Sequence, residues 1–368
     1  MGILRRRRRG PAREDDGEKD AHLPFLSRAQ ADRVRALFRQ AMAERGRETM
    51  ISGGHIEGDG PTYFGLWNVA VACHEDPRGE RAWPAIVAGH ADIVTAAAST
   101  NIDQELAGYT PGQLRGRVYA HIVPERAMGG SRPLPSYARE LAPGLAEMFV
   151  LDQPKSVAYL GDAQVERLGG AAAVRAAALA SLRLLPPVAV HHAGQPSAGH
   201  CDFILNESAY TADRLLVLPH MLSQLHGDAK APHGVLTCMP TRQMVMFHVI
   251  RDATTLLPSL ELMARTGYAR FSEGRHRLSP DVFWCREQSW QQLTFGGAGN
   301  KLTVRVEGEF ANVLDSLRRE ALPRRGGEGS PGGAERGFHH LPCPFTLDLP
   351  PPQRRESTVQ ITRARLVR

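Results

Sequence analysis

Apolar residues recur at intervals of three and four through Val34, Leu37, Phe38 and Met42, the spacing of one helix face. Ser27 and Gln30 stand at capping-box spacing before that run, and Gly46 stands where a left-handed residue would close it. Met50 to Gly65 is glycine-rich and reads as turns with a short strand. Over Leu66 to His74, Val69 and Val71 alternate as in a strand, but the alanine content favours a short helix. Pro84 suits a first helical turn and predicts a second helix with the face Trp83, Val87, His90, Val94 and Ala97.

Strand-length apolar runs follow at Leu114 to Val123, Glu147 to Asp152 and Ser156 to Leu160. Two helices are expected over Asp162 to Leu168 and Gly170 to Leu185. Val188 to His192 and Cys201 to Leu205 read as paired strands, and Thr211 to Leu225 as a helix. Gly234 to Met239 and Gln243 to Val249 form a hairpin around Pro240-Thr241-Arg242. Asp252 caps a helix running to about Arg265, with Pro258 bending it or marking its start. Short strands over Val282 to Arg286, Gln292 to Thr294 and Leu302 to Val306 precede a last helix from Phe310 to Glu320.

This order mixes hairpins and helices without regular βαβα alternation, so the fold class is α+β. A prior of roughly 150 residues per domain predicts two halves. The Pro- and Gly-containing loop Pro124 to Pro135 divides them into subdomains 23–130 and 131–322. Residues 1–22 read as a charged, disordered tail. Residues 323–368 read as a disordered Gly/Pro/Arg-rich tail, in which Ser357 to Val367 forms a strand on a partner or by folding back.

Composition narrows the functional classes. At 42% apolar and 23% charged the chain can bury a real core. No run of 18 apolar residues is present, and no export signal is expected behind Arg5 to Arg9. The five cysteines are widely spaced and form no C-x-x-C, as for free buried thiols in a reducing cytosol. The formal charge of +6 sits in the tails. Residues 1–21 carry seven basic and five acidic groups, and residues 323–368 eight and four, leaving 22–322 neutral. A nucleic-acid-binding fold would carry a basic face on the folded part, so DNA or membrane-surface binding is expected only weakly and through the tails.

Candidate chemistry is sparse. His191, His192, His200 and Cys201 are zinc-ligand types, but strand neighbours point to opposite faces, so no metal site and no cofactor are expected. His90 reads as a core histidine, and Cys73-His74 lacks a third orienting group. Ser197 is not in a G-x-S-x-G elbow, and Gly296 to Lys301 lacks phosphate-loop spacing.

The second half resembles a known family. Leu145-Ala-Glu-Met-Phe-Val-Leu-Asp-Gln-Pro154, then Ser156 to Leu160, Gly161 to Gly169, Tyr210 to Leu216, Gly234 to Arg242, Ile250-Arg-Asp252 and Leu278 to Trp284 follow the order of the YtpQ-like bacterial proteins of unknown function. Phe64 to Asn68 is a weaker echo in the first half. The resemblance implies an α+β cytoplasmic bacterial protein and supplies no catalytic residues. Its shared positions nominate Asp152, Arg242, Arg251 and Asp252 as ligand or partner contacts. Arg242, at a hairpin tip, offers a planar fork to a carboxylate or phosphate. Turn and cap chemistry would explain the same residues. The expectation is a non-enzymatic interaction or regulatory protein with a protein partner; the alternative is an enzyme, such as a hydrolase, with Arg242, Asp252 and histidines around one pocket.

Overall fold

The capping box forms as its spacing requires: Gln30 N–H donates to Ser27 Oγ at 3.3 Å and Ser27 N–H to Gln30 Oε1 at 3.1 Å. The structure is a computed structural model describing residues 18–52, 55–58, 63–99, 102–125, 134–153, 156–227, 230–297, 301–321, 345–348 and 362–365. It divides into two units, Met1–Asn101 and Ile102–Arg368.

In the first unit, α1 (Arg28–Ala43) is followed by the antiparallel strands β1 (Thr49–Ser52), β2 (His55–Gly58) and β3 (Tyr63–Gly65), then by α2 (Trp67–Glu75) and α3 (Trp83–Ser99). The stretch that alternation left ambiguous is thus helical. Val34, Phe38 and Met42 of α1 meet Val69 and Cys73 of α2 and Trp83, Val87 and Val94 of α3 in one core. Ala97 lies outside the described side chains. His90 packs its ring 5.9 Å from Phe38, and burial pulls its pKa down. Residues 18–22, placed in the expected tail, are among the described residues, and Lys19 bridges to Ser27. Asp20 is only 8% exposed because Arg35 grips both its oxygens, at 2.8 and 2.9 Å, and holds its pKa at about 2. Residues 1–17, with the Arg5 to Arg9 run, lie outside the described residues.

The second unit opens with α4 (Ile102–Leu106). Strands β4 (Val118–Pro124), β5 (Arg139–Ala142), β6 (Leu145–Gln153) and β7 (Ser156–Tyr159) form a four-stranded antiparallel sheet around β6. Val118 to Pro124 pair with Leu151 to Leu145, so the boundary expected at Pro124 to Pro135 falls inside a sheet. Helices α5 (Asp162–Arg167) and α6 (Gly170–Arg183) cover this sheet through Val165, Val174, Ala178 and Leu182. Then come β8 (Val190–Gln195), β9 (Gly199–Leu205), a 3-10 turn (Ala212–Val217), α7 (Leu218–His226), β10 (Val235–Thr241), β11 (Met244–Val249), α8 (Ala253–Glu273), β12 (Val282–Arg286) and β13 (Ser289–Gln292). β14 (Thr294–Gly297), β15 (Lys301–Val304), α9 (Gly308–Ala321), β16 (Phe345–Asp348) and β17 (Thr362–Arg365) complete the chain.

Strands in the order β13-β12-β10-β11-β9-β8-β17 make a seven-stranded sheet, and β14-β15-β16 a small second one. Two short strands thus occupy the expected tail 323–368, β16 beside β15 and β17 beside β8. One face of the large sheet, with Cys201, Leu236, Cys238, Met246 and Trp284, packs on α8 and α9. The other, with Ile204, Val235, Val245, Phe247 and Phe283, packs on α7 and, through Ile122, Leu141 and Leu145, on the four-stranded sheet. Both faces are covered, which is why these strands are nearly continuous apolar runs.

Helix α8 outruns the expected end near Arg265 because Met263, Ala264 and Tyr268 continue its inner stripe. Asp252 caps it, accepting from the N–H groups of Thr254 and Thr255. Two glycines let it lie close. A Cβ on Gly267 would sit 2.5 Å from Cys238 Sγ, and one on Gly199, at φ +103, 2.6 Å from Pro258 Cβ.

His248 on β11 is 3% exposed, and among the described residues neither ring nitrogen finds a partner of good geometry. Its ring packs 4.7 Å from that of His200. Burial, then the His200 charge, depress its pKa from 6.5 to about 4, against the pull of Asp202 and Asp252. The unfolded chain therefore binds a proton here that the folded chain refuses. The neutral ring's contribution is complete above pH 6.5 and is lost as pH falls towards about 4. His248→Leu is expected to raise stability by about 1 kcal/mol at pH 7, by removing unpaired polar atoms. It should also abolish a loss of about 3 kcal/mol between pH 6.5 and 4. Urea titrations at both pH values check this; an unchanged pH slope in the variant would contradict it.

Candidate functional site

The 3-10 turn Ala212–Val217 places an acid inside an apolar run. Asp213 has zero exposure. Its Oδ1 accepts the Ile122 N–H of β4 at 2.7 Å, and its Oδ2 lies 2.7 Å from His121 Nδ1. Arg242, at the β10–β11 turn, donates from Nη2 to the Ile122 carbonyl at 3.1 Å and holds Nη1 3.8 Å from Asp213 Oδ1. Nη1 also lies 3.1 Å from His121 Nδ1. That nitrogen cannot both donate to the acid and accept from the guanidinium. The shorter contact, and the buried carboxylate's need for donors, assign it as N–H towards Asp213. Burial lowers the His121 pKa, and Arg242 lowers it further against the opposing pull of Asp213. The ring is neutral and 1% exposed.

Backbone bonds fasten the same junction. Ala212 N–H donates to the Arg242 carbonyl, and Arg242 N–H to that of His276, whose φ of 50 is left-handed and strained. Beside it, Tyr210 donates its hydroxyl to Asp152 Oδ1 at 2.5 Å and stacks on Tyr119 at 4.1 Å. Burial, then Asp152, push the Tyr210 pKa up.

Of the four residues nominated from sequence, Asp152 and Arg242 thus flank one buried network. Arg251 and Asp252 do not join it. They follow the far end of β11, a strand whose length at about 3.3 Å per residue separates them from Arg242 by about 20 Å. Arg251 is exposed, and Asp252 serves the α8 cap. Neither Arg242 nor Asp252 lines the cavity next to this junction.

The turn's other side walls a cavity of about 350 Å3, a volume within the range of small-ligand pockets. Leu216 and Leu218 line it with Trp290 of β13, His220 of α7 and three arginines: Arg139 of β5, and Arg175 and Arg183 of α6. Glu147 on β6 organises two of them. Its side chain is 1% exposed, and it accepts from Arg139 Nε and Nη2 at 3.0 and 2.7 Å and from Arg175 Nε at 2.8 Å. Arg183 makes no ion pair among the described residues, while its backbone carbonyl accepts from His220 Nε2 at 3.2 Å. Two guanidinium groups therefore share one buried carboxylate, and the third, Arg183, stands beside them without an acid of its own among the described residues.

Sequence reasoning missed His121, Asp213, Glu147 and these arginines. A signal existed for the acids: Asp213 and Glu147 each interrupt an apolar stretch, and a buried carboxylate requires cationic or N–H partners. The arginines carried no signal in a chain so rich in that residue.

His192 donates to Asp202 at 2.5 Å, and His226 lies 3.3 Å from the same acid. His191 stacks on Phe203, and Cys201 is buried. Among the described residues, no group of three or more His, Cys, Asp or Glu is arranged to hold a metal ion. Cys73, Cys201, Cys238 and Cys285 are free and buried, and burial pushes the thiol of each up. Among the described residues no helix is long and apolar enough to cross a membrane.

Comparison with protein-family models, curated proteins and solved structures finds no match.

Asp213→Ala strands Arg242 and the Ile122 N–H in a dry interior and is expected to cost about 3–5 kcal/mol. Chemical denaturation of the variant checks this; a loss under about 1 kcal/mol, the worth of a surface pair, would contradict the closed network.

Proposed function

We propose that this chain is a non-enzymatic interaction or regulatory protein that recognises an anionic group in the arginine-lined pocket. The carrying observation is the charge balance there: three guanidinium groups around a 350 Å3 cavity, two of them sharing the single buried acid Glu147. Such forks match carboxylate and phosphate oxygens. Of the groups suited to proton transfer, His220 and Glu287 border the pocket, and His220 is engaged with the Arg183 carbonyl. His121 and Asp213 are sealed at 1% and 0% exposure, where substrate has no access. The YtpQ-like order of segments over 145–295 supports the same reading and points to a cytoplasmic bacterial protein, since that family brings no catalytic residues.

Calorimetric titration of the full chain with inorganic phosphate tests the proposal. Saturable binding is expected, weakened by about tenfold or more in Arg183→Glu, which reverses an unpaired charge. Colorimetric ester, phosphate and peptide substrates should remain intact. Turnover of any of them, abolished by a substitution in the pocket, would overturn the non-enzymatic reading.

A further inference from the structure

We infer that the pocket's ligand is a small amphipathic oxyanion: a carboxylate or phosphate carried on an aromatic or branched apolar body. This rests on the anion-binding reading above and narrows it.

The pocket has two kinds of wall. On the polar side, Glu147 engages Nε and Nη2 of Arg139 and likewise Nε and Nη2 of Arg175. Each of these forks is held in place with Nη1 left over, so little side-chain freedom is lost when an anion arrives. Arg183 adds a fork with no acid of its own among the described residues. On the apolar side stand Leu216 and the Trp290 indole, which is only partly buried and meets Phe283 at 6.0 Å on its tilted edge. A bare inorganic anion would leave that wall in water. An apolar body covering it gains the free energy of burial, and an aromatic ring also suits the indole face.

Size and charge exclude polymers. The volume of about 350 Å3 is near the lower end for ligand pockets. Glu287 stands at the rim on the β12–β13 turn, exposed and with a left-handed φ of 57. Its negative charge opposes a polyphosphate backbone approaching the mouth.

The test is calorimetry on the full chain with four probes: acetate, inorganic phosphate, phenylacetate and phenyl phosphate. Each aryl anion is expected to bind about tenfold or more tighter than its bare counterpart, the order expected for covering an aromatic ring. Trp290→Leu should bring the ratio of aryl-anion to bare-anion affinity close to one. If this variant does not fold, Trp290→Phe replaces it and should retain part of the advantage. The tighter of the two aryl probes identifies the oxyanion. Equal affinity for aryl and bare anions overturns the amphipathic class while leaving anion recognition standing. Failure of all four probes to bind overturns both.

Discussion

Asp213 has no contact with solvent, and a carboxylate taken out of water must be met by donors on every side. Here those donors come from two places in the second unit. β4 supplies the Ile122 N–H and the His121 ring, and the β10–β11 turn supplies the Arg242 guanidinium. The acid itself sits on the 3-10 turn between β9 and α7. The four-stranded sheet, the seven-stranded sheet and the chain leading into α7 therefore have one relative arrangement in which this charge is satisfied. Apolar packing between the sheets, through Ile122, Leu145, Val245 and Phe283, supplies most of the burial but little direction. The carboxylate supplies the direction.

The same turn has a second face. Leu216 and Leu218 stand on the cavity side, so whatever fixes Asp213 also fixes a wall of the pocket. Two buried acids thereby divide the labour. Asp213 is closed, with its partners inside the protein. Glu147 faces guanidinium groups that outnumber it, and the excess points into a cavity. A closed network gives a unique arrangement of elements, and an open one leaves the donors that the proposed recognition of an anion would use. That separation favours binding over chemistry at this site.

Much of the fold was legible in the sequence because it is written in local terms. The Ser27–Gln30 cap, the β10–β11 hairpin and the stripe of α9 follow from spacing alone, although the hairpin turn lies at Arg242-Gln243 and not over Pro240-Thr241-Arg242. What was not legible is long-range. Pro124 to Pro135 has the composition of a linker, yet β4 pairs across it with β6, and nothing local records that register. The long α8 depended on reading its stripe past Pro258 and Gly267, two residues that usually break helices; here Gly267 lets the helix approach Cys238 and Gly199 makes room for Pro258. Arg242 and Asp152 were visible as a turn residue and a strand end, but their meeting through Tyr210, Tyr119 and His121 was not. Arg251 and Asp252 looked like their companions because sequence order hides the length of β11.

Amide hydrogen exchange on the full chain carrying Asp213→Asn, compared with the unmodified protein, addresses the central claim most directly. The expected result is faster exchange over residues 212–218 and weaker phosphate binding in the same sample, with α1 to α3 unchanged. Exchange over 212–218 that is unaltered, or a loosened turn with phosphate affinity fully retained, would contradict the claim that this buried carboxylate holds the pocket in shape.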